Sequence, residues 1–589
     1  MKTRLFPAFV VACISLPGSL SAIPLYWDGS AGSAFSNAEN WSTDAAGNVN
    51  PDSLIPGASD VATFNATSLV TGSLSPQIVD LGGNISVSGL NYTGQSNRLT
   101  LQGGGSNVVL SIGAGGIVAS GATNTTDPPT KVFTIGSTTA NQNVAISLTA
   151  DQSWLSNISG TGTSTDGIFV RNGVSLGVAG AHTLTLGGSS TSTPLNTISG
   201  VISDGGADRS LSISMAPGAS NGNNRWTLSG NNTYSGATTV SQGALTIGHV
   251  NALGSTSSGT VVQSGAGLFF RGDVGTMAAE ALTLSGNGPD SKGALRNVNG
   301  TNTWTGAITL ASGTVSIGAD AGTLTLASTA NISTNVASTT LQFVTTSATA
   351  TSALTVNGNI SGAISVNKGP GSNNSPNATV TFGTTAKTYT GSTAVTSGIL
   401  ALNTGLTNTS AVTVAAGATL RGNNGSINNL ATTTINGRLA PGATLLPEIG
   451  SLTMGRLDFA ATSTLAIDIN SSTATSDLIT LDGLTGNLNI TEGSILTLND
   501  LGGASLVNGA LMFIKYSGVW NGQRFTYGGN LINDNDQITL NGNQFQLDYD
   551  FVNGADKGVA LVVVPEPAAA GLVAFGALVL GLRRRRAAA

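Results

Sequence analysis

Residues Trp226–Gly248 read WTLSGNNTYSGATTVSQGALTIG. The stretch divides into a short strand (Trp226–Leu228), a polar turn (Ser229–Asn232), a Tyr-Ser-Gly step, a Thr/Val strand (Thr238–Val240), a Gln-Gly turn and a strand Ala244–Ile247. The pattern returns at Asn302–Gly318 as NTWTGAITLASGTVSIG. It returns again at Thr388–Asn403 as TYTGSTAVTSGILALN, where the Asn-rich turn is lost. All three copies share an aromatic, Ser/Thr-Gly, a β-branched strand, Gly and an alternating strand. Self-similarity of this kind decides an architecture before any single residue does. Aromatic and β-branched residues suit a pleated, half-buried surface. The Gly between strands is expected to take positive φ and turn a corner. One copy cannot bury its apolar face, but stacked copies can, with backbone hydrogen bonds between successive rungs. A β-sandwich also consists of short strands with turn signals. The repeat, the Gly and Thr abundance and the length without domain breaks favour an all-β solenoid.

Composition agrees with that reading. The chain has 589 residues, 80 Gly, 40% hydrophobic and 8% charged residues, and a net charge of −6. Such hydrophobicity with so little charge argues against general disorder. Mild acidity excludes the basic face that nucleic-acid binding requires. The single cysteine, Cys13, lies in the N-terminal apolar segment, so the mature chain is expected to have no thiol or disulfide. Residues 1–22 read as a secretory signal helix: Lys2 and Arg4, then Leu5–Leu16, then Ser19, Ser21 and Ala22.

The 226–248 segment resembles the autotransporter-associated β-strand repeat of large bacterial surface proteins, and Asn196–Asp204 (NTISGVISD) is similar to its lead-in. The resemblance implies a right-handed parallel β-helix. Tyr26-Trp27-Asp28-Gly29, Asn40-Trp41 and Asp60–Phe64 resemble the opening module of the same family. Residues 23–65 are therefore expected to cap the first rung, with Trp27 and Trp41 buried in the cap and not offered to a saccharide. The solenoid is expected over 66–442, with its best copies at 226–248, 302–318 and 388–403. At roughly 20–25 residues per rung, that span gives on the order of 16 rungs and a rod of about 80 Å. Alternation along its strands sends an apolar row inward and a Thr/Ser row outward. After Gly437–Gly442 (GRLAPG), residues 443–563 are expected to form a β-rich C-terminal cap containing Phe513, Tyr516, Trp520, Phe525, Tyr527, Phe545, Tyr549 and Phe551.

Residues 564–589 have three parts: Pro565-Glu566-Pro567, an apolar segment Ala568–Leu582 expected to be a hydrophobic helix, and Arg583, Arg584, Arg585 and Arg586. This tail resembles the PEP-CTERM sorting signal. The resemblance implies a partner, an exosortase-type enzyme that processes the protein near the Pro-Glu-Pro motif. The two prolines keep that motif extended, and the arginine run holds the terminus on the cytoplasmic side. The protein is thus expected to be exported, membrane-associated through its tail, and then surface-located or extracellular.

Catalytic chemistry finds little support in the sequence. The two histidines, His182 and His249, are isolated, and the carboxylates do not cluster within the repeats. Asp204/Asp208/Arg209 reads as a rung corner. Asn533–Asp536 (NDND) suits an Asx turn; a Ca²⁺ site at Asp534 and Asp536 would lack the Gly and distal Glu of an EF-hand. No catalytic residue, metal or cofactor is expected. The function expected is a non-enzymatic surface or matrix protein, whose solenoid serves adhesion or contact with extracellular polysaccharide. The alternative is a polysaccharide-degrading β-helix enzyme, which three or more converging carboxylates in a cleft would favour. A true autotransporter passenger would need a translocator barrel, and an apolar segment followed by four arginines does not fit one.

Overall fold

Strands two to five residues long cannot make a stable sheet singly, so their backbone groups must pair with the next turn of the chain. In the computed structural model they do so almost entirely in parallel. Residues 24–564 are described, apart from 48, 50–52, 66–76, 94–97, 123–131, 160–166, 190–195, 217–223, 347–351, 370–374, 376, 443–447 and 484–485. The described residues are all-β; their one helix is the short 3₁₀ turn Ala38–Asn40. The expected signal and C-terminal helices lie outside the described residues.

The chain divides into two units, residues 1–196 with 205–209, and residues 197–204 with 210–589. In the first, Pro24–Trp27 pairs in parallel with Val61–Asn65, that strand with Ile85–Thr93, and that with Val108–Ala122. The register stacks Trp27 on Phe64 and Phe64 on Tyr92. Trp41 joins them from a short antiparallel strand, its ring edge-on to Trp27 at 5.2 Å. Trp27 and Trp41 are fully buried, as expected of core aromatics.

In the second unit the repeat forms successive rungs. Trp226, Leu245, Leu268, Leu295, Ile317, Phe343, Lys368 and Val395 are successive register partners down one column. All of them are buried, and Leu245 and Ile247 point inward as expected. On another face, Thr276, Thr303, Thr325, Thr355 and Thr381 make an outward column. Trp304, Leu326, Val356 and Phe382 line up inward beside it. The alternation read from the sequence thus separates an apolar interior from a threonine exterior. This is an all-β, parallel stack of the β-solenoid kind.

The glycines do two different jobs. Gly243 and Gly398, in the turn before the last strand of copies one and three, have φ of 73° and 74°. In copy two Gly313 is not among the positive-φ glycines: Ile308–Ala319 is assigned as one strand, whose register against Leu282–Gly286 skips between Leu310 and Val315. The expectation of a glycine corner therefore holds for two copies and fails for the third. The glycine of the Ser/Thr-Gly step serves close approach instead. A Cβ on Gly236, Gly306 or Gly391 would lie 2.4, 1.8 or 2.4 Å from the carbonyl oxygen of Leu211, Glu280 or Ile364 on the preceding rung.

Parallel pairing runs on past Gly442. Arg456–Phe459 stacks on Thr432–Ile435 and under Leu488–Ile490. Ser451–Met454 precedes Leu478–Leu481 and Ala510–Tyr516 in the same manner. Only then does the sheet turn antiparallel, as Asp556–Val563, Asn543–Asn553 and Gln537–Leu540 close against Ala510–Tyr516.

Candidate functional site

Each repeat carries a conserved internal position pair four residues apart. Where the first residue is tyrosine, the second is threonine, and their hydroxyls bond: Tyr234 to Thr238 at 2.7 Å, and Tyr389 to Thr393 at 2.5 Å. Where the first is tryptophan, the second is Ile308, and Trp304 Nε1 donates instead to the Gly306 carbonyl at 3.0 Å. All three aromatics are fully buried, so the most distinctive residues of the repeat are core and unavailable to a ligand. Two residues earlier stands an asparagine that clips rungs together. Asn232 Oδ1 accepts Ile202 N at 2.8 Å, and Asn302 Oδ1 accepts Val274 N at 2.7 Å. In the third copy that position is Lys387, buried and donating to the Gly383 carbonyl.

The titratable residues singled out from the sequence are held locally. His182 Nδ1 lies 2.8 Å from Asp151 Oδ1, which also accepts Thr183 N; that backbone bond first, and His182 second, hold Asp151 below the usual carboxylate range. His249 Nδ1 accepts Asn251 N at 3.1 Å within its own turn. Asp204 caps a corner, accepting the amides of Leu211 and Ser235. Asp208 pairs with Arg209 at 3.6 Å. Asp536 Oδ2 accepts both the backbone and side-chain nitrogens of Asn533, closing the expected turn.

Two carboxylate groups were not foreseen, because their members are far apart in sequence. Asp534, Asp548 and Asp550 bring carboxylate oxygens within 4.8 Å of one another on the closing antiparallel strands, and these three could hold a metal ion. The carboxylates that gather around Asp534 come from the neighbouring strand Asn543–Asn553 and not from Asp536 of its own loop. Asp534 Oδ1 also accepts Tyr549 N at 2.9 Å. Burial, and then the acidic neighbours, push Asp548 up. The second group surrounds Asp477, which is buried and accepts Gly450 N at 2.7 Å and Asp468 N at 2.8 Å. Burial raises its carboxyl to about 7, with Asp468 and Glu448 adding to the shift.

The closing strands bury most of the aromatics noted there. Phe513, Phe525, Phe545 and Tyr549 are fully buried. Trp520 is half-buried and stacks on Tyr549 at 4.9 Å.

One group of arginines lies on a largely covered face of the stack. Arg296 is registered with Phe269, which it covers at 5.3 Å. Its guanidinium bonds Asp320 and Asp290. Arg225 and Arg271 lie near enough to feel its charge. Burial and then Arg296 push Arg225 below its ordinary value. Partial burial and then Arg225 and Arg296 do the same to Arg271.

The sorting residues Pro565, Glu566, Pro567 and Arg583–Arg586 lie outside the described residues. Among the described residues no helix is long and apolar enough to cross a membrane.

The chain is similar to known bacterial proteins. Over 93 residues, 16% of the chain, it is 38% identical to the "Adhesin BmaC autotransporter" of Brucella suis biovar 1 (strain 1330). The matched part is 2% of that adhesin's length. Residues 221–247 match the family described as Passenger-associated-transport-repeat. The chain therefore carries an autotransporter-associated repeat of the kind found in bacterial surface proteins.

Proposed function

We propose that this is an exported, non-enzymatic surface protein whose stacked repeats form a right-handed parallel β-helix used for adhesion or association with extracellular polysaccharide. The observation that carries the reading is the autotransporter-associated repeat lying in the parallel stack, with its aromatics inside and threonine rows outside. The similarity to an adhesin over 93 residues supports a surface role. Right-handed winding follows from the general handedness of parallel crossover connections. The division into an opening cap at 23–65, a solenoid at 66–442, a C-terminal region at 443–563 and a sorting tail belongs to the same proposal. So does the partner, an exosortase-type enzyme acting at Pro565-Glu566-Pro567. The test is cell fractionation with surface proteolysis, comparing the full chain with one lacking residues 564–589. The reading expects the full chain at the surface and the shortened chain secreted without surface retention. Cytoplasmic recovery of the full chain would overturn it.

The alternative, hydrolysis of a polysaccharide, gains one observation: the convergence of Asp534, Asp548 and Asp550. Release of reducing ends from a polysaccharide panel, lost in Asp548→Asn, would establish it.

A further inference from the structure

Two outward columns of the stack change chemistry from rung to rung. One runs Thr227, Thr246, Phe269, Arg296, Gly318 and Val344. Another runs Ala394, Thr413, Thr434, Asp458 and Asn489. The face built by Thr301–Trp304, Thr323–Leu326, Ala353–Val356 and Thr379–Phe382 does not change. Each of these strands sends two side chains outward, and the register sets them in two columns. Thr301, Thr323, Ala353 and Thr379 form one, and Thr303, Thr325, Thr355 and Thr381 the other. Thr276 extends the second column by one rung, and Ala353 is the single departure from threonine. Beyond Thr379 and Thr381 the columns continue into Ile399 and Ala401, which are buried, so the array has a definite end. Thr276 and Thr301 are exposed and the other threonines part-exposed. Among the described residues, the hydroxyls of Thr303, Thr323, Thr325, Thr355 and Thr381 have no partner within the protein. The charged groups at the margins are Asp273, which accepts Thr301 N, and Arg421, which donates to Thr379 Oγ1 at 3.5 Å. All four strands are paired in parallel on both sides, so a partner can meet this face only through its side chains.

We propose that this threonine array binds ice, an ordered water lattice being the ligand whose repeat matches its own. Neighbouring rungs put equivalent hydroxyls about 4.8 Å apart, and the two columns stand about 6.6 Å apart along each strand. Rows of oxygens on the prism face of hexagonal ice repeat at nearly the same two intervals. Threonine suits such a surface, because its β-branch leaves χ1 little freedom and holds methyl and hydroxyl at repeating positions before contact. The hydroxyl both donates to water and accepts from it, and the methyl adds apolar area beside it. No single contact is strong, but a preorganised array engages many at once with little ordering of its own side chains. A soluble glycan is held by stacking rings or by charged forks, and the two columns contain neither.

The inference goes beyond the adhesion reading and takes from it only export, which brings the array to where ice forms. The mature full chain is tested by slow freezing from dilute solution onto seed ice, with protein measured in the ice and in the remaining liquid, and by recrystallisation of ice grains in sucrose. Wild type is expected to enter the ice and to keep the grains small. Thr325→Lys/Thr355→Lys, which places two long charged side chains at the centre of the array, should be excluded from the ice and lose the effect on grain size, with its melting temperature unchanged. The conservative Thr325→Ser/Thr355→Ser variant removes the methyls without adding bulk or charge, and its uptake should fall between the two. Thr413→Lys, exposed in a different column, should behave as wild type. Exclusion of wild type from ice, or equal uptake of wild type and both double variants, would overturn the inference and leave the surface role standing. Binding to microcrystalline cellulose with the same dependence on Thr325 and Thr355, and no uptake into ice, would assign the array to a polysaccharide lattice and overturn ice as its ligand.

Discussion

Replacing Lys368 with methionine should stabilise the protein at neutral pH and remove part of its pH dependence. Lys368 occupies the inward column between Phe343 and Val395, where other rungs place leucine, isoleucine or phenylalanine. It is fully buried. Among the described residues its Nζ donates to Thr345 Oγ1 at 3.1 Å and to the Ser397 carbonyl at 3.0 Å, neither of them charged. Burial pulls the amine from its ordinary 10.5 to about 8. At pH 7, that shift of two to three units corresponds to a penalty of about 3 kcal/mol for holding the charge inside. Methionine removes the penalty and keeps most of the volume, at the loss of two hydrogen bonds worth about 1 kcal/mol each. The net expectation is a gain of about 1 kcal/mol at pH 7, in line with the general behaviour of buried charges replaced by apolar side chains.

The sign of the pH effect is fixed by the direction of the shift. With the folded value below the unfolded one, the unfolded chain binds more protons between about pH 8 and 10.5, so stability rises with pH across that window. The buried tyrosines Tyr234 and Tyr389 are shifted upward and act in the opposite direction only above about pH 10. Lys387, also lowered to about 8 by burial, contributes a second rise of the same sign. Thermal or urea unfolding of wild type from pH 7 to 10 should therefore show increasing stability. Lys368→Met should shrink the rise by roughly 2 kcal/mol and lose its own advantage by pH 10. An identical pH slope in the two proteins would refute the placement of the amine in the core column.

Other outcomes follow from the same geometry. Leu245→Asp should destabilise by several kcal/mol, because it puts an unpaired carboxylate between Trp226 and Leu268; an unaffected melting temperature would contradict the stack. Thr238→Val should cost about 1–3 kcal/mol by stranding the buried Tyr234 hydroxyl, and adding Tyr234→Phe should recover most of it; additive losses in the double-mutant cycle would break the pairing. Asp477, its carboxyl raised by burial, supplies stability that is full below about pH 4 and is lost as pH rises through about 7. Asp477→Asn should accordingly be more damaging at pH 5 than at pH 7 in urea titrations. Mass spectrometry of surface-located protein should find chains lacking Arg583–Ala589, and intact tails on most molecules would mark an ordinary anchor.

Much of the fold was legible because it depends on period and repetition. Alternation in Thr323–Leu326 or Thr379–Phe382 assigns each residue to a face without reference to anything distant. The repeat then says which strand lies next, and the core residues Leu245 and Ile247 follow. What escaped was whatever depends on meeting a distant residue at a particular height. Asp548 and Asp550 reach Asp534 only because the last strands turn antiparallel. Gly313 misled for a related reason: the same Ser-Gly that takes positive φ at Gly398 lies there inside one strand, at a register skip.

The degraded third copy shows what the repeat requires and what it tolerates. At the clip position a side chain must satisfy backbone groups of its own loop or the next rung, and asparagine does so with one acceptor and two donors. Lysine offers donors alone. At Lys387 the bonds accordingly run to the carbonyls of Gly383 and Thr385, with the amine also lying 5.7 Å from the Phe382 ring. The backbone amide of Thr388 donates to the Ile360 carbonyl at 2.8 Å and also to Asn359 Oδ1 at 3.1 Å, so here an asparagine of the preceding rung does the clipping. Lys368 arises on the rung before it, so both depressed amines fall where the motif is weakest. A stack whose stability is a sum over neighbouring rungs can absorb such local penalties, provided the flanking rungs are well packed, as Phe343 and Phe382 are against each other. The sequence drift of that copy is therefore read in the structure as a shift from amide clips to buried amines, with the parallel register kept intact.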